Sequence, residues 1–280
     1  MASKKTAVIE YLFYRHWDKD AQRLRRTVMT FEDVRSAIVE VYKNNKTALS
    51  ADNVANFMKD FARKHTASKN WPASIGALRY TADQRVGDGA IFEFVEFGPG
   101  QTEPFPDVFL PSATTQRCEL QSLSLSYPAR QFGRRDETWL IQTAVQLHLI
   151  ETHLALFSEH RLTDVSHLQL GVKLRRAEID ALFLGHRLLS GARSPVLITC
   201  EAKQLGERLT KPQIVQQVAA AFDTSPSCDF VIPTAMRVLP DGIYVVEFRG
   251  VDRSSLPDFR EPVFSTGAIY SLKPPVSGIP

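Results

Sequence analysis

Two short stretches carry the residues most able to do chemistry. Glu178-Ile179-Asp180 lies 21 positions before Glu201-Ala202-Lys203, counted from Asp180 to Glu201. Each sits on an apolar run, Ile179 to Leu184 ending at Gly185, and Pro195 to Cys200 leading into Glu201. Hard carboxylate oxygens from Asp180 and Glu201 suit Mg²⁺, which takes one or two carboxylates and fills its shell with water and phosphate oxygens. Like charges brought together away from water need such a partner. The alternative is a surface hairpin on which Glu201 and Lys203 simply face solvent.

Both runs read as buried strands. If they form an antiparallel hairpin, its turn lies midway between Asp180 and Glu201, and the midpoint is Ser190-Gly191, two turn residues. That register sets Asp180 opposite Glu201. Side chains alternate along a strand, so Glu178 shares a face with Asp180 and Lys203 shares one with Glu201. Upstream, residues 138–157 read as a helix with an apolar face through Leu140, Ile141, Val145, Leu149 and Leu154. A strand over 165–174 follows, turning through Lys173, Arg175 and Arg176, which are candidates for phosphate contact. Beyond Lys203 and Gln204, Thr210-Lys211-Pro212 opens a helix on which Gln213 and Gln217 stand one turn apart. These amides either steer Glu201 or a phosphate, or belong to a polar helix surface. Phe230 to Ile232 and Ile243 to Phe248, separated by Pro240-Asp241-Gly242, complete the sheet.

At Asp180 and Glu201-Ala202-Lys203 the chain resembles the PD-(D/E)xK nuclease superfamily, over roughly residues 138–250. Ile179 stands where the superfamily name has proline, a position that varies among its members. The resemblance implies an α/β fold with a mixed central sheet flanked by helices. It also implies catalytic roles for Asp180, Glu201 and Lys203, with Mg²⁺ held by Asp180, Glu201 and the Ala202 carbonyl. A helical glutamate often reaches the site in this superfamily, and Glu151 is the choice here, with Glu137 and Glu159 as competitors. Glu178, Gln204, Gln213 and Gln217 are supporting positions. The implied reaction is phosphodiester hydrolysis to a 5′-phosphate and a 3′-hydroxyl.

The N-terminal part has a different pattern. Residues 6–27 read as a helix whose basic positions Arg15, His16, Lys19, Arg23, Arg25 and Arg26 either track phosphates or form a solvated face. Thr30 with Asp33 makes a capping-box start. A second start follows at Ser50 to Asn53, a third after Asn70-Trp71-Pro72, and then a glycine turn at 86–90 before an alternating strand at 91–97. That order is similar to a winged helix. It makes residues 70–84 the candidate recognition helix, with Lys69, Arg79 and Arg85 as possible DNA contacts. Helical bundles of this size also serve as scaffold or dimerisation pieces. The expected division is a helical, winged-helix-like domain at 1–97, a Pro-rich linker or arm at 98–137 ending in Arg134 and Arg135, and the nuclease domain at 138–280.

Composition sets the class. The 280 residues are 44% hydrophobic, enough for two cores, and the net charge of +3 does not by itself announce nucleic acid. Three scattered cysteines make neither a disulfide framework nor a zinc pattern. No apolar run is long enough to span a bilayer, so a cytoplasmic protein without a membrane partner is expected. The expected function is that of a Mg²⁺-dependent type II restriction enzyme acting on double-stranded DNA as a homodimer, with a companion DNA methyltransferase encoded nearby. A repair, recombination or defence nuclease without strict specificity, and a winged-helix binder that does not cut, are the alternatives.

Overall fold

The computed structural model describes residues 3–43, 49–50, 54, 57–58, 61, 67–85, 89–173, 178–189 and 191–280. The chain forms two compact units, Met1–Asp107 and Val108–Pro280. Among the described residues no helix is long and apolar enough to cross a membrane.

In the first unit, α1 (Lys4–His16) is capped by Ser3 and buries Val8, Ile9, Leu12 and Phe13. The helix expected to reach residue 27 stops at His16. The Asp18 carboxylate accepts the backbone N–H groups of Asp20 and Ala21, both at 3.0 Å, and this local turn competes with helix propagation. The chain therefore folds back as a hairpin of β1 (Trp17–Asp18) and β2 (Arg23–Leu24), pairing Trp17 with Leu24. Next come β3 (Val28–Thr30) and α2 (Phe31–Val41), whose start is the expected Thr30–Asp33 capping box. Of the second expected start, residues 51–53 lie outside the described residues, although Val54, Phe57, Met58 and Phe61 are buried.

The helix expected over 70–84 is instead two short turns and a strand: α3 (Ala67–Asn70), α4 (Ala73–Ala77) and β4 (Tyr80–Gln84). Arg79, with φ +60°, breaks the helix, and the Trp71 indole donates to the Tyr80 carbonyl at 3.0 Å. β4 pairs with β5 (Ala90–Glu96), giving an antiparallel sheet in the order β3-β5-β4. Phe13, Trp17, Tyr80, Trp71, Phe92 and Phe94 fill this unit's core, with Phe13 stacked on Trp17 at 5.2 Å between ring centroids.

The second unit is built on a large mixed sheet in the order β6 (Gln116–Gln121), β13 (Phe264–Lys273), β11 (Gly242–Phe248), β10 (Phe230–Leu239), β9 (Ala192–Lys203), β8 (Glu178–Leu189) and β7 (Leu162–Lys173). The segment expected as a linker or arm is not a linker throughout. It divides between the units, and β6 (Gln116–Gln121) pairs in parallel with β13 (Phe264–Lys273). The polar alternation of β6 is that of an edge strand with solvent beside it. α5 (Tyr127–Gln131) is capped by Ser126. The helix expected over 138–157 is broken into α6 (Glu137–Gln146) and α7 (Leu149–Phe157), because His148 takes a left-handed φ of +53°.

Then come β7 (Leu162–Lys173), β8 (Glu178–Leu189) and β9 (Ala192–Lys203), an antiparallel meander. α8 (Lys211–Thr224) crosses over to β10 (Phe230–Leu239), which lies parallel to β9. β11 (Gly242–Phe248) returns antiparallel through the expected turn, and β12 (Val251–Asp252) pairs with β10. On β9 the even positions Val196, Ile198, Cys200 and Ala202 share a core with Leu140, Ile141 and Ala144 of α6. Leu197 on the opposite face meets Val218, Ala221 and Phe222 of α8. Each fully buried large apolar side chain contributes roughly 1.5–3 kcal/mol.

One carboxyl lies wholly inside this sheet. Glu247 on β11 is 0% exposed; Ser158 Oγ donates to it at 2.8 Å, and His160 Nε2 stands 3.8 Å away. Burial raises its pKa from 4.5 to about 7, against the Ser158 hydrogen bond and with help from the charge of Glu159. Burial also holds the His160 imidazole below its usual range, so it offers Glu247 no full positive charge near neutrality. Because the folded value lies above the unfolded one, the stability this proton provides is complete below about pH 4.5 and is lost as pH rises through about 7. Glu247→Gln should therefore melt at a higher temperature than wild type at pH 8, a gain of about 2–3 kcal/mol, and should lose most of that advantage at pH 4.5. Equal melting curves at pH 8 would refute the assignment.

Candidate active site

The hairpin register brings the motif together. Leu189 pairs with Ala192 and Ala181 with Cys200, so the next step along both strands sets Asp180 beside Glu201. Gly191, φ +83°, stands in the expected turn. The Ala202 N–H donates to Asp180 Oδ2 at 2.9 Å, tying the two strands at the point where their carboxylates meet.

Glu201 is 4% exposed and held from two sides. From α8, the amide nitrogens of Gln213 and Gln217 donate to its Oε1 and Oε2 respectively. Thr210, the residue before α8, donates to Gln213 Oε1 at 2.7 Å and so turns the amide nitrogen towards the carboxylate. From its own strand, Lys203 Nζ lies 2.8 Å from Glu201 Oε1. The ammonium also donates to the Ala202 carbonyl at 2.8 Å and to Glu137 Oε1 at 2.6 Å. Its three protons are thus directed at three acceptors.

The electrostatics follow from this crowding. Burial and the neighbouring Glu201 charge raise the Asp180 pKa to about 7, against the Ala202 N–H and Lys203; Glu137 adds to the rise. For Lys203 burial pulls the pKa down, but Glu201 and Glu137 outweigh it and the net direction is upward. The ammonium stays charged while Asp180 shares a proton near neutrality.

The helical carboxylate at this cluster is Glu137, in the first turn of α6. Glu151 lies on α7 and accepts or shares a hydrogen bond with His148 Nδ1 at 3.3 Å. Asp136 caps α6 through the Trp139 N–H at 2.8 Å, and its carbonyl accepts from the Gln204 amide at 2.6 Å, so Gln204 fixes the helix start beside Lys203. The Asp136-Glu137 pair before an apolar run was the available sequence signal for this anchor. Arg134 and Arg135 are exposed in the loop entering α6. In the first unit Lys69 and Arg79 are exposed, but Arg79 donates to the Gln101 carbonyl at 3.3 Å and covers the Phe97 ring instead of projecting from a recognition helix. Arg85 is exposed and paired with Glu93. Arg175 and Arg176 lie outside the described residues, as do the side chains of Lys173 and Glu178.

The donor set fits a hard divalent cation. Asp180, Glu201 and the Ala202 carbonyl are all oxygen donors, and two adjoining carboxylates that raise a pKa to about 7 describe a place where positive charge is favoured. Among the described residues no three His, Cys, Asp or Glu side chains group as a metal site, but Mg²⁺ needs only one or two carboxylates. No protein-family model, curated protein or solved structure matches this chain.

A buried ion pair broken on one side leaves an uncompensated charge. Lys203→Met should destabilise the protein by about 3–5 kcal/mol in chemical denaturation, and adding Glu201→Gln should recover at least half of that loss. Additive losses in the double variant would mean that the two side chains do not act as a pair.

Proposed function

We propose that this chain is a metal-dependent endonuclease of the PD-(D/E)xK type that hydrolyses double-stranded DNA. The observation that carries this reading is the convergence of Asp180, Glu201 and Lys203 at one end of the β8–β9 hairpin, with Glu201 gripped by Gln213 and Gln217. The order helix, three antiparallel strands, helix and parallel fourth strand supports it. So does the first unit, where α1, the β1–β2 hairpin, β3, α2, the short turns α3 and α4, β4 and β5 follow one another and the sheet runs β3-β5-β4, an order similar to that of a winged helix although no long recognition helix stands among the described residues.

In this reading Asp180, Glu201 and the Ala202 carbonyl hold Mg²⁺. The bound ion would supply Lewis-acid polarisation of the phosphate and a water of lowered pKa. Glu201 is immobilised by its two amides, so the site is preorganised rather than assembled on binding. Lys203, held beside these carboxylates, would orient the attacking water, assist its deprotonation or meet the oxygens of the pentacovalent phosphorus. Glu137 keeps that ammonium in place. A type II restriction enzyme is the specific form proposed, working as a homodimer so that two sites address two strands, with a companion methyltransferase.

The test is incubation of the protein with long, sequence-diverse DNA in Mg²⁺ or EDTA. Discrete fragments that appear only with Mg²⁺ and carry 5′-phosphate ends are expected. Asp180→Ala, Glu201→Ala and Lys203→Ala should each lower cleavage by at least about a thousandfold. A smear would remove the sequence specificity and leave the nuclease; DNA intact under all conditions would sink the enzyme reading.

A further inference from the structure

Residues 15–26 hold five Lys or Arg and two Asp, a net charge of +3 that equals that of the whole chain. On a continuous helix Arg15, Lys19, Arg23 and Arg26, spaced i, i+4, i+8 and i+11, would share one face and Arg25 would lie off it. The β1–β2 hairpin replaces that arrangement with another. Trp17 and Leu24 are paired and buried, so the alternation of strand side chains puts Asp18 and Arg23 on the opposite, outer face. The Arg25 N–H donates to the His16 carbonyl at 2.9 Å, which extends the ladder and sets Arg25 across from His16 on that same outer face. Arg15, Arg23, Arg25 and Arg26 are all exposed.

The cluster is organised, not loose. Asp18 locks the turn through two backbone N–H groups and lies 3.5 Å from Arg25. Arg26 Nε donates to the Val28 carbonyl at 2.9 Å and its guanidinium pairs with Asp33. Arg85 is tied to the residue after Arg26, because Thr27 and Arg85 hold the two oxygens of one carboxylate, Glu93, at 3.0 and 2.8 Å. Burial and then the charges of Arg26, Arg15 and Arg25 push the His16 pKa down.

We propose that the His16–Arg25 hairpin, with Arg15, Arg23, Arg26 and Arg85, is a sequence-independent clamp for the phosphate backbone of double-stranded DNA. The choice of duplex DNA rests on the nuclease reading; the structure supplies five exposed guanidiniums, of which those of Arg25, Arg26 and Arg85 are held by Asp18, Asp33 and Glu93. This face offers guanidinium charge and no ring for base stacking, since the hairpin's tryptophan, Trp17, is buried against Phe13.

The test measures binding apart from cleavage. The full-length protein in EDTA is titrated with two 30-base-pair duplexes of unrelated sequence across a range of salt, by fluorescence anisotropy. The triple variant Arg15→Ala, Arg23→Ala, Arg25→Ala should bind both duplexes about tenfold or more weakly near 0.1 M salt. Its slope of log affinity against log salt should be shallower by about 2–3, near 0.9 for each phosphate that is no longer neutralised. The corresponding triple lysine variant should retain most of the affinity, and matched thermal melts separate a weakened DNA grip from a damaged fold. Unchanged affinity and slope, or a loss confined to one duplex, would overturn the clamp, and equally tight binding of a single-stranded RNA of that length through the same arginines would overturn its assignment to duplex DNA. Protein that cleaves with Mg²⁺ while the triple variant binds normally loses the clamp alone. Protein that never cleaves but binds through these arginines loses the nuclease reading alone.

Discussion

A lysine ammonium that is 3% exposed survives in a folded protein only if each of its protons meets an acceptor. Lys203 finds one on its own strand at the Ala202 carbonyl, one two residues back at Glu201, and one on a different element at Glu137. That requirement ties the end of β9 to the start of α6. Glu201 must be satisfied in turn, and Gln213 and Gln217 bring α8 to the same point. Two helices and a hairpin are thus fixed around one salt bridge. A set of apolar side chains of equal volume would hold these elements together at least as well, since the desolvation of both ions offsets most of their attraction. Stability alone therefore does not account for charge at this point.

The parts of this site visible in the sequence were those set by local rules. The two-residue turn and the strand period together determine the register that sets Asp180 against Glu201, and the spacing of Gln213 and Gln217 puts both amides on one helix face. The Thr30–Asp33 cap was equally legible. Glu137 was only one of three helical candidates, because which glutamate meets Lys203 depends on where the helix starts and on its break at His148. Neither is written in the apolar period of residues 138–157.

The larger departures have the same origin. β6 looks like linker because an edge strand at a solvated border needs little apolar character, and its partner β13 lies about 150 residues away in the chain. The helix through residue 27 fails because one side chain, Asp18, offers the backbone a competing turn. The supposed recognition helix ends where Arg79 takes a positive φ and Tyr80 joins a sheet. In the first unit Trp17, Leu24 and Tyr80 are buried as their types require, while in each case the backbone geometry is decided by a single polar contact or a distant strand.

Charge distribution gives the two units complementary tasks under the nuclease reading. Asp180, Glu201 and Glu137 surround a single ammonium, so before any cation is bound the cluster is negative and offers a polyanion little attraction. Affinity for DNA must then arise at other surfaces, and the cations required cannot be packed beside the carboxylates without neutralising them. The sequence meets this by keeping its overall charge near zero and concentrating arginine locally. Arg134 and Arg135 stand in the loop before Glu137, and the folded-back hairpin of the first unit gathers Arg15, Arg23, Arg25 and Arg26. A modest net charge is therefore no argument against a nucleic-acid partner, because phosphate contacts are counted by the guanidiniums that share a face, not by the sum over the chain.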